Sequence, residues 1–166
     1  MRTHRPPTPL DEQRIPVRTA LAAAWTSFMF LYIYVDYFHL HKPGVIDNLR
    51  AGVVFEFDIS PPLLTLMLTS VAIPALMVLL SATLPARVSR TTNLIVASLY
   101  IPYSLFNAVG ESWDWAFFYI LSIGIEVLIL AFILRSAWTW PRTHSDAGDP
   151  AEAGLLTAPG SPTAAR

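Results

Sequence analysis

Apolar residues in this chain gather into four long runs, separated by short polar segments of alternating charge. Residues 19–35, 62–84 and 91–110 contain no Asp, Glu, Lys or Arg, and residues 115–134 contain only Glu126. About 20 apolar residues, rising ~1.5 Å each, match the ~30 Å hydrocarbon core of a bilayer. The pattern predicts an all-α chain folded as a four-helix transmembrane bundle, up-down-up-down. The expected spans are about 18–38, 61–84, 92–110 and 114–138.

Local chemistry suggests where these helices start. Pro61 and Pro62 suit a first turn, because the N–H groups they lack would have no partner there. Thr91, Thr92 or Asn93 is the expected cap of the third span, and Asp114 that of the fourth, where a carboxylate also complements the helix dipole. The first run follows basic residues, as a secretion signal would. It extends to Tyr37 and Phe38, however, and His39-Leu40-His41-Lys42-Pro43 is no small-residue cleavage site, so it reads as a retained span.

The connection at 39–60 is the only long one. Its second half, VVFEFDIS, alternates with a period of two and predicts one short strand with no evident partner. Two readings stay open: phenylalanines dipping into headgroups, or a lid at 45–60 over the bundle mouth. Residues 1–17 and 141–166 are rich in proline and small or polar residues and are expected to be disordered cytoplasmic tails.

Charge sets the expected orientation. Arg2, Arg5, Arg14, Arg18, Arg87, Arg90, Arg135, Arg142 and Arg166 fall on one side of the predicted bundle; Lys42 and Arg50 fall on the other. Under the positive-inside rule both termini face the cytoplasm, in a multi-pass protein of the cell membrane. Tyr34, Tyr37, Trp113, Trp115, Trp138 and Trp140 then lie at headgroup level as an aromatic belt, with a substrate cage as the alternative.

Composition agrees, with 54% hydrophobic and 14% charged residues against about 25% charged in soluble domains. The chain has no cysteine, which excludes disulfides, zinc–thiolate sites, iron–sulfur clusters and CxxC redox chemistry within it. His4 and His144 lie in the tails while His39 and His41 share one helix end, so facing-helix haem ligands are lacking. No phosphate loop, nucleophile elbow, HExxH or dinucleotide fingerprint is present, and an enzyme is the less favoured class. No cofactor, metal or nucleic-acid partner is expected.

Glu126 stands out. It lies 11 residues past Trp115, about 16 Å along a helix and hence near the bilayer midplane. A carboxylate there costs about 2.5–3.5 kcal/mol on insertion scales, so it implies either a functional site or a hydrogen bond to a neighbouring span. Tyr119, Ser122 and Glu126 share one helix face. At similar depth lie Tyr100, Thr69, Ser70, Thr26 and Ser27. Pro74 leaves the Ser70 carbonyl without its helical donor, an expected acceptor for a protonated Glu126.

Tyr100, Tyr103, Ser104, Asn107 and Glu111 form a second stripe, suited to line a cavity or to join helices. Pro102 inside it frees the Ser98 carbonyl and predicts a kink. Asp36, His39 and His41 form a weak candidate for a metal or proton site, with an ordinary surface cluster as the alternative. Ala20, Ala22, Ala23, Ala24 and Ser27 provide small residues for close helix approach or self-association.

The segments LAAAWTSFMFLYIYVDYFHL, VAIPALMVLLS and IEVLILAFILRSAWTW resemble an uncharacterised family of small four-span bacterial membrane proteins, a domain of unknown function. Its tyrosine–x–aspartate, Ile-Pro and Ile-Glu motifs correspond here to Tyr34 with Asp36, Ile73 with Pro74, and Ile125 with Glu126, and the resemblance spans about residues 18–140. It implies a fold and a bacterial origin but no activity. A looser similarity to DoxX-like proteins is architectural only.

The function expected from these features is binding or transport of a small solute, lipid or proton. Its candidate residues are Glu126, Tyr100, Tyr103, Asn107, Tyr119, Ser122 and Asp36. The alternative is an accessory or scaffold subunit acting through helix–helix contacts, as a homo-oligomer or with a membrane partner.

Overall fold

The computed structural model describes residues 15–107, 109 and 112–141. The expected tails fall almost wholly outside these residues, as do Gly110 and Glu111. Within them the chain is mostly helical: α1 (Val17–His39), α2 (Val45–Arg50), α3 (Pro61–Thr83), α4 (Ala86–Phe106) and α5 (Ala116–Trp138). A short 3-10 turn, Trp113–Trp115, leads into α5.

Three segments are long and apolar enough to cross a membrane: Val17–His39, Pro61–Thr83 and Trp113–Trp138. The fourth long helix, α4, spans about 31 Å at 1.5 Å per residue but carries Arg87, Arg90 and a run of Ser, Thr and Asn in its first half. Its length matches the others; its hydropathy does not.

The four long helices pack in a ring. α1 lies against α3 and α5, and α4 lies against α3 and α5. Cross-links fix their directions. Trp25 and Tyr32 of α1 meet Asn93 and Tyr103 of α4, so these two run parallel. Ser81 and Ser70 of α3 meet Asn93 and Tyr100, and His39 meets Tyr119, so α3 and α5 run the opposite way.

The core follows from helical spacing. Leu21, Trp25, Phe28 and Tyr32 form a stripe of α1 at intervals of three and four, packed on Met77, Ala97, Tyr100, Leu130 and Ile133. Trp25, Phe28 and Tyr100 meet edge to face, with ring centroids 5.7–6.2 Å apart. The small-residue face of α1 divides around this stripe: Ala24 is buried, while Ala23 and Ser27 point outward.

Helix starts differ from expectation in two places. α4 begins at Ala86, directly after Leu84-Pro85, and not near residue 92. Proline's fixed φ suits the entry to the helix, so the turn from α3 needs only two residues. Asn93 is therefore in mid-helix and fully buried, with its side chain turned to the core instead of capping. Asp114 sits in the 3-10 turn and makes no cap bond; α5 starts after Trp115. At α3 the start is chemically explicit: Ser60 accepts from the Leu63 N–H at 3.4 Å, and Pro61 and Pro62 occupy the first turn.

The long connection also differs. Residues 45–50 are helical, and VVFEFDIS is not one strand but a minimal hairpin. Val53 pairs with Asp58 and Val54 with Phe57, leaving Phe55 and Glu56 as the turn. Phe55 adopts φ 55°, the sign required at the first position of a tight two-residue turn and normally met by glycine. Alternation predicts the extended backbone but cannot reveal a reversal in its middle.

Candidate functional site

The polar groups of the interior fall into three tiers along the helix axes. The lowest joins α1, α3 and α4. Asn93 Oδ1 accepts from Trp25 Nε1 at 2.7 Å and from Ser81 Oγ at 3.1 Å, and Asn93 Nδ2 donates to the Ser89 carbonyl at 2.8 Å. Ser89 Oγ donates in turn to the Ser81 carbonyl at 3.3 Å. All four residues are fully buried and mutually satisfied, the condition under which a buried network rigidifies a fold. Nearby, Arg90 Nε donates to the Ala137 carbonyl at 3.1 Å, tying the start of α4 to the end of α5.

The middle tier contains Glu126. Its side chain is buried, at 3% exposure, on the α5 face that also buries Tyr119 and Ser122. Opposite it on α4 is Ser104, close enough for its hydroxyl to interact with the Glu126 carboxyl. Ser104 is fully buried, and its Oγ has no well-formed hydrogen bond among the described residues. Tyr32 and Tyr103 share a bond between their hydroxyls at 3.1 Å, and the Asn107 side chain approaches Tyr32. Asn107 and Asp36 are exposed at the edge of this tier, and Asp36 lies within electrostatic range of both Tyr32 and Glu126.

The Tyr100 ring meets that of Tyr103 edge to face, with centroids 5.5 Å apart, but the Tyr100 hydroxyl points to another helix. It donates to the Ser70 carbonyl at 2.5 Å. The acceptor freed by Pro74 is thus used, but by Tyr100 and not by Glu126. The reason is geometric: α3 contacts α1 and α4 around the ring, whereas α5 lies across from it. Thr69 bonds back to the Thr65 carbonyl on its own helix, and Thr26 to that of Ala22, so neither is joined to Glu126.

The upper tier brings the long connection onto α5. His39 Nδ1 and the Tyr119 hydroxyl are 2.7 Å apart, and Lys42 Nζ donates to the same hydroxyl at 3.4 Å. The Lys42 ammonium also lies 5.5 Å from the Trp115 ring centroid and 5.2 Å from that of Tyr119. The Phe55 ring reaches His39, with centroids 5.4 Å apart. His41 turns away to the Tyr37 carbonyl. Asp36, His39 and His41 therefore do not converge, and no group of three metal-ligating side chains exists among the described residues.

This arrangement of a buried acid, an unsatisfied hydroxyl and tyrosine hydroxyls is carried by helices that a comparison with family patterns covers as one unit. The match is to a family of unknown function, DUF6326, over residues 11–145. The chain belongs to DUF6326. The DUF6326 match takes in α1 to α5 and all three polar tiers, and reaches beyond the 18–140 suggested by the shared motifs. Comparison with curated proteins and with solved structures gives no match.

Several residues of these tiers were not singled out for such roles by sequence reasoning: Trp25, Ser81, Ser89 and Lys42. A usable signal existed for Ser89, and for the inward position of Asn93. Continuing the Tyr100–Ser104 stripe backward at helical spacing passes Ala97 and reaches Asn93 and Ser89. No comparable signal marks Trp25, whose indole matters only because Asn93 faces it.

Proposed function

We propose that this DUF6326 member is a four-span integral membrane protein that binds and passes a proton or small solute at Glu126. In this reading α4 crosses with the three more apolar helices, with Ser89, Asn93, Tyr100 and Ser104 turned to the core, and both termini lie on the arginine-rich side in the cytoplasm. Tyr32, Tyr103, Asn107, Ser104 and Asp36 provide the surrounding polar surface. Tyr119 and Ser122 continue the same α5 face toward Lys42 and the long connection.

The observation that carries the proposal is the Glu126–Ser104 pair. A carboxyl at bilayer depth is costly unless its hydrogen-bonding capacity is met. Here the hydroxyl beside it lacks a well-formed partner. A proton, water or small polar solute entering between them would satisfy both groups. A purely structural acid would instead be expected to have a complete set of fixed partners.

Infrared difference spectroscopy of the protein in lipid, wild type against Glu126→Gln, tests the reading over about pH 5–9. A carboxyl band that titrates in this range and is lost in the variant supports exchange with water. A Glu126 band unchanged across the range would sink the proposal.

One observation favours a second reading, an accessory subunit working through helix contacts. Apart from half-buried Leu63, residues 61–69 of α3 are exposed, so a full surface is open to another helix or to lipid. A strictly monomeric protein that copurifies with no partner would dismiss this alternative.

A further inference from the structure

A groove of about 540 Å³ runs along the outside of α5. Its floor is a helical stripe from Ala116 to Leu128 at intervals of three and four, and Leu105 of α4 and Trp113 complete the lining. Tyr119 is the only polar residue in the lining; the rest is aliphatic, aromatic or glycine. Glu126 faces inward and is not part of the groove, although Tyr119 belongs both to the lining and to the buried α5 face that carries Glu126.

Its dimensions fit one leaflet. From Ala116 to Leu128 the helix climbs twelve steps, about 18 Å at helical rise, and half of a bilayer's hydrocarbon core is about 15 Å. The groove starts at the Trp113–Trp115 turn, where exposed indole marks headgroup level in the membrane reading. At that end the Lys42 ammonium lies over the Trp115 and Tyr119 rings, so positive charge stands at the mouth of an apolar channel. Exposed Asp114 in the same turn adds a negative charge, which disfavours a strongly anionic headgroup.

We propose that this groove holds one acyl chain of a glycerophospholipid from the leaflet on the Trp113 side, with the lipid phosphate near Lys42. This rests on the membrane reading but not on any role for Glu126. Gly124 keeps the channel open: a Cβ added there meets nothing within 4 Å. A larger side chain at this position starts from that open space and is directed into the groove, and replacing a mid-helix glycine favours the helix.

The test is native mass spectrometry of the full chain, released from detergent doped with phosphatidylethanolamine, phosphatidylglycerol or diacylglycerol. The wild type is expected to retain one phospholipid per chain and to retain diacylglycerol less. Gly124→Phe should lower retention at least several-fold, while Leu68→Phe on the exposed face of α3 should leave it unchanged. Ala116→Leu, at the other end of the groove, tests the same point if Gly124→Phe does not fold. Retention unaffected by both groove variants, or lowered equally by Leu68→Phe, would overturn the site. Equal retention of diacylglycerol would overturn the phosphate contact. Loss of a dimer in Gly124→Phe, with no lipid retained by the wild type, would assign the groove to a second copy instead.

Discussion

The hydroxyl of Tyr100 donates to the carbonyl of Ser70 at 2.5 Å, across the interface between α4 and α3. That carbonyl is available because Pro74, four residues on, has no N–H to give it. A proline in one helix thus prepares the acceptor for a tyrosine in another. Tyr100→Phe should destabilise the fold by about 1–2 kcal/mol, by leaving the acceptor unmet. Pro74→Ala restores the internal donor, so the loss on Tyr100→Phe should shrink in that background. Additive losses in a double-mutant cycle would refute the coupling.

Asn93 holds three helices together. Asn93→Leu is expected to cost about 2–3 kcal/mol, since it strips acceptors from both Trp25 and Ser81 within a sealed core. Reversible unfolding in mixed detergent would measure the loss. A variant as stable as wild type would mean that the network contributes no net stability.

Ser104 should behave in the opposite way. Its hydroxyl makes no well-formed bond that Ser104→Ala would lose, so stability is expected to change by less than about 0.5 kcal/mol. The carbonyl stretch of Glu126 should shift, because a hydroxyl that interacts with its carboxyl is gone. A large stability loss with an unshifted band would show that the two groups do not interact.

Tyr119 anchors the long connection to α5 through His39 and Lys42. Tyr119→Phe removes the shared oxygen and is expected to speed amide exchange at residues 40–52 while α3 and α4 stay protected. Uniform exchange throughout would point to global destabilisation instead.

The absence of cysteine makes orientation directly measurable. Single cysteines placed at exposed Asn48 and Ala86 should separate cleanly under a membrane-impermeant maleimide. In intact cells Asn48→Cys should label and Ala86→Cys should not. The reverse pattern would invert the proposed topology.

What the sequence determined by itself is the part governed by local physics. Of the four apolar runs, three coincide with helices long and apolar enough to cross a bilayer, because such runs are stable in few other settings; the run at 91–110 falls in α4, whose first half is too polar to join them. Pro61 and Pro62 marked a helix start because proline constrains its own backbone and its own N–H. Shared motifs such as Ile125-Glu126 pointed to an uncharacterised family, and the DUF6326 match agrees. The tertiary structure decided everything that depends on helix rotation and on meeting across the ring. Hydropathy reports immersion and not helix limits, so α4 began six residues earlier than expected and carried Asn93 into the core. Depth alone made Glu126 and the Ser70 carbonyl look like partners, but Tyr100 is the residue that faces that carbonyl. Spacing along one helix fixes which residues share a face; only packing against the others fixes what that face meets.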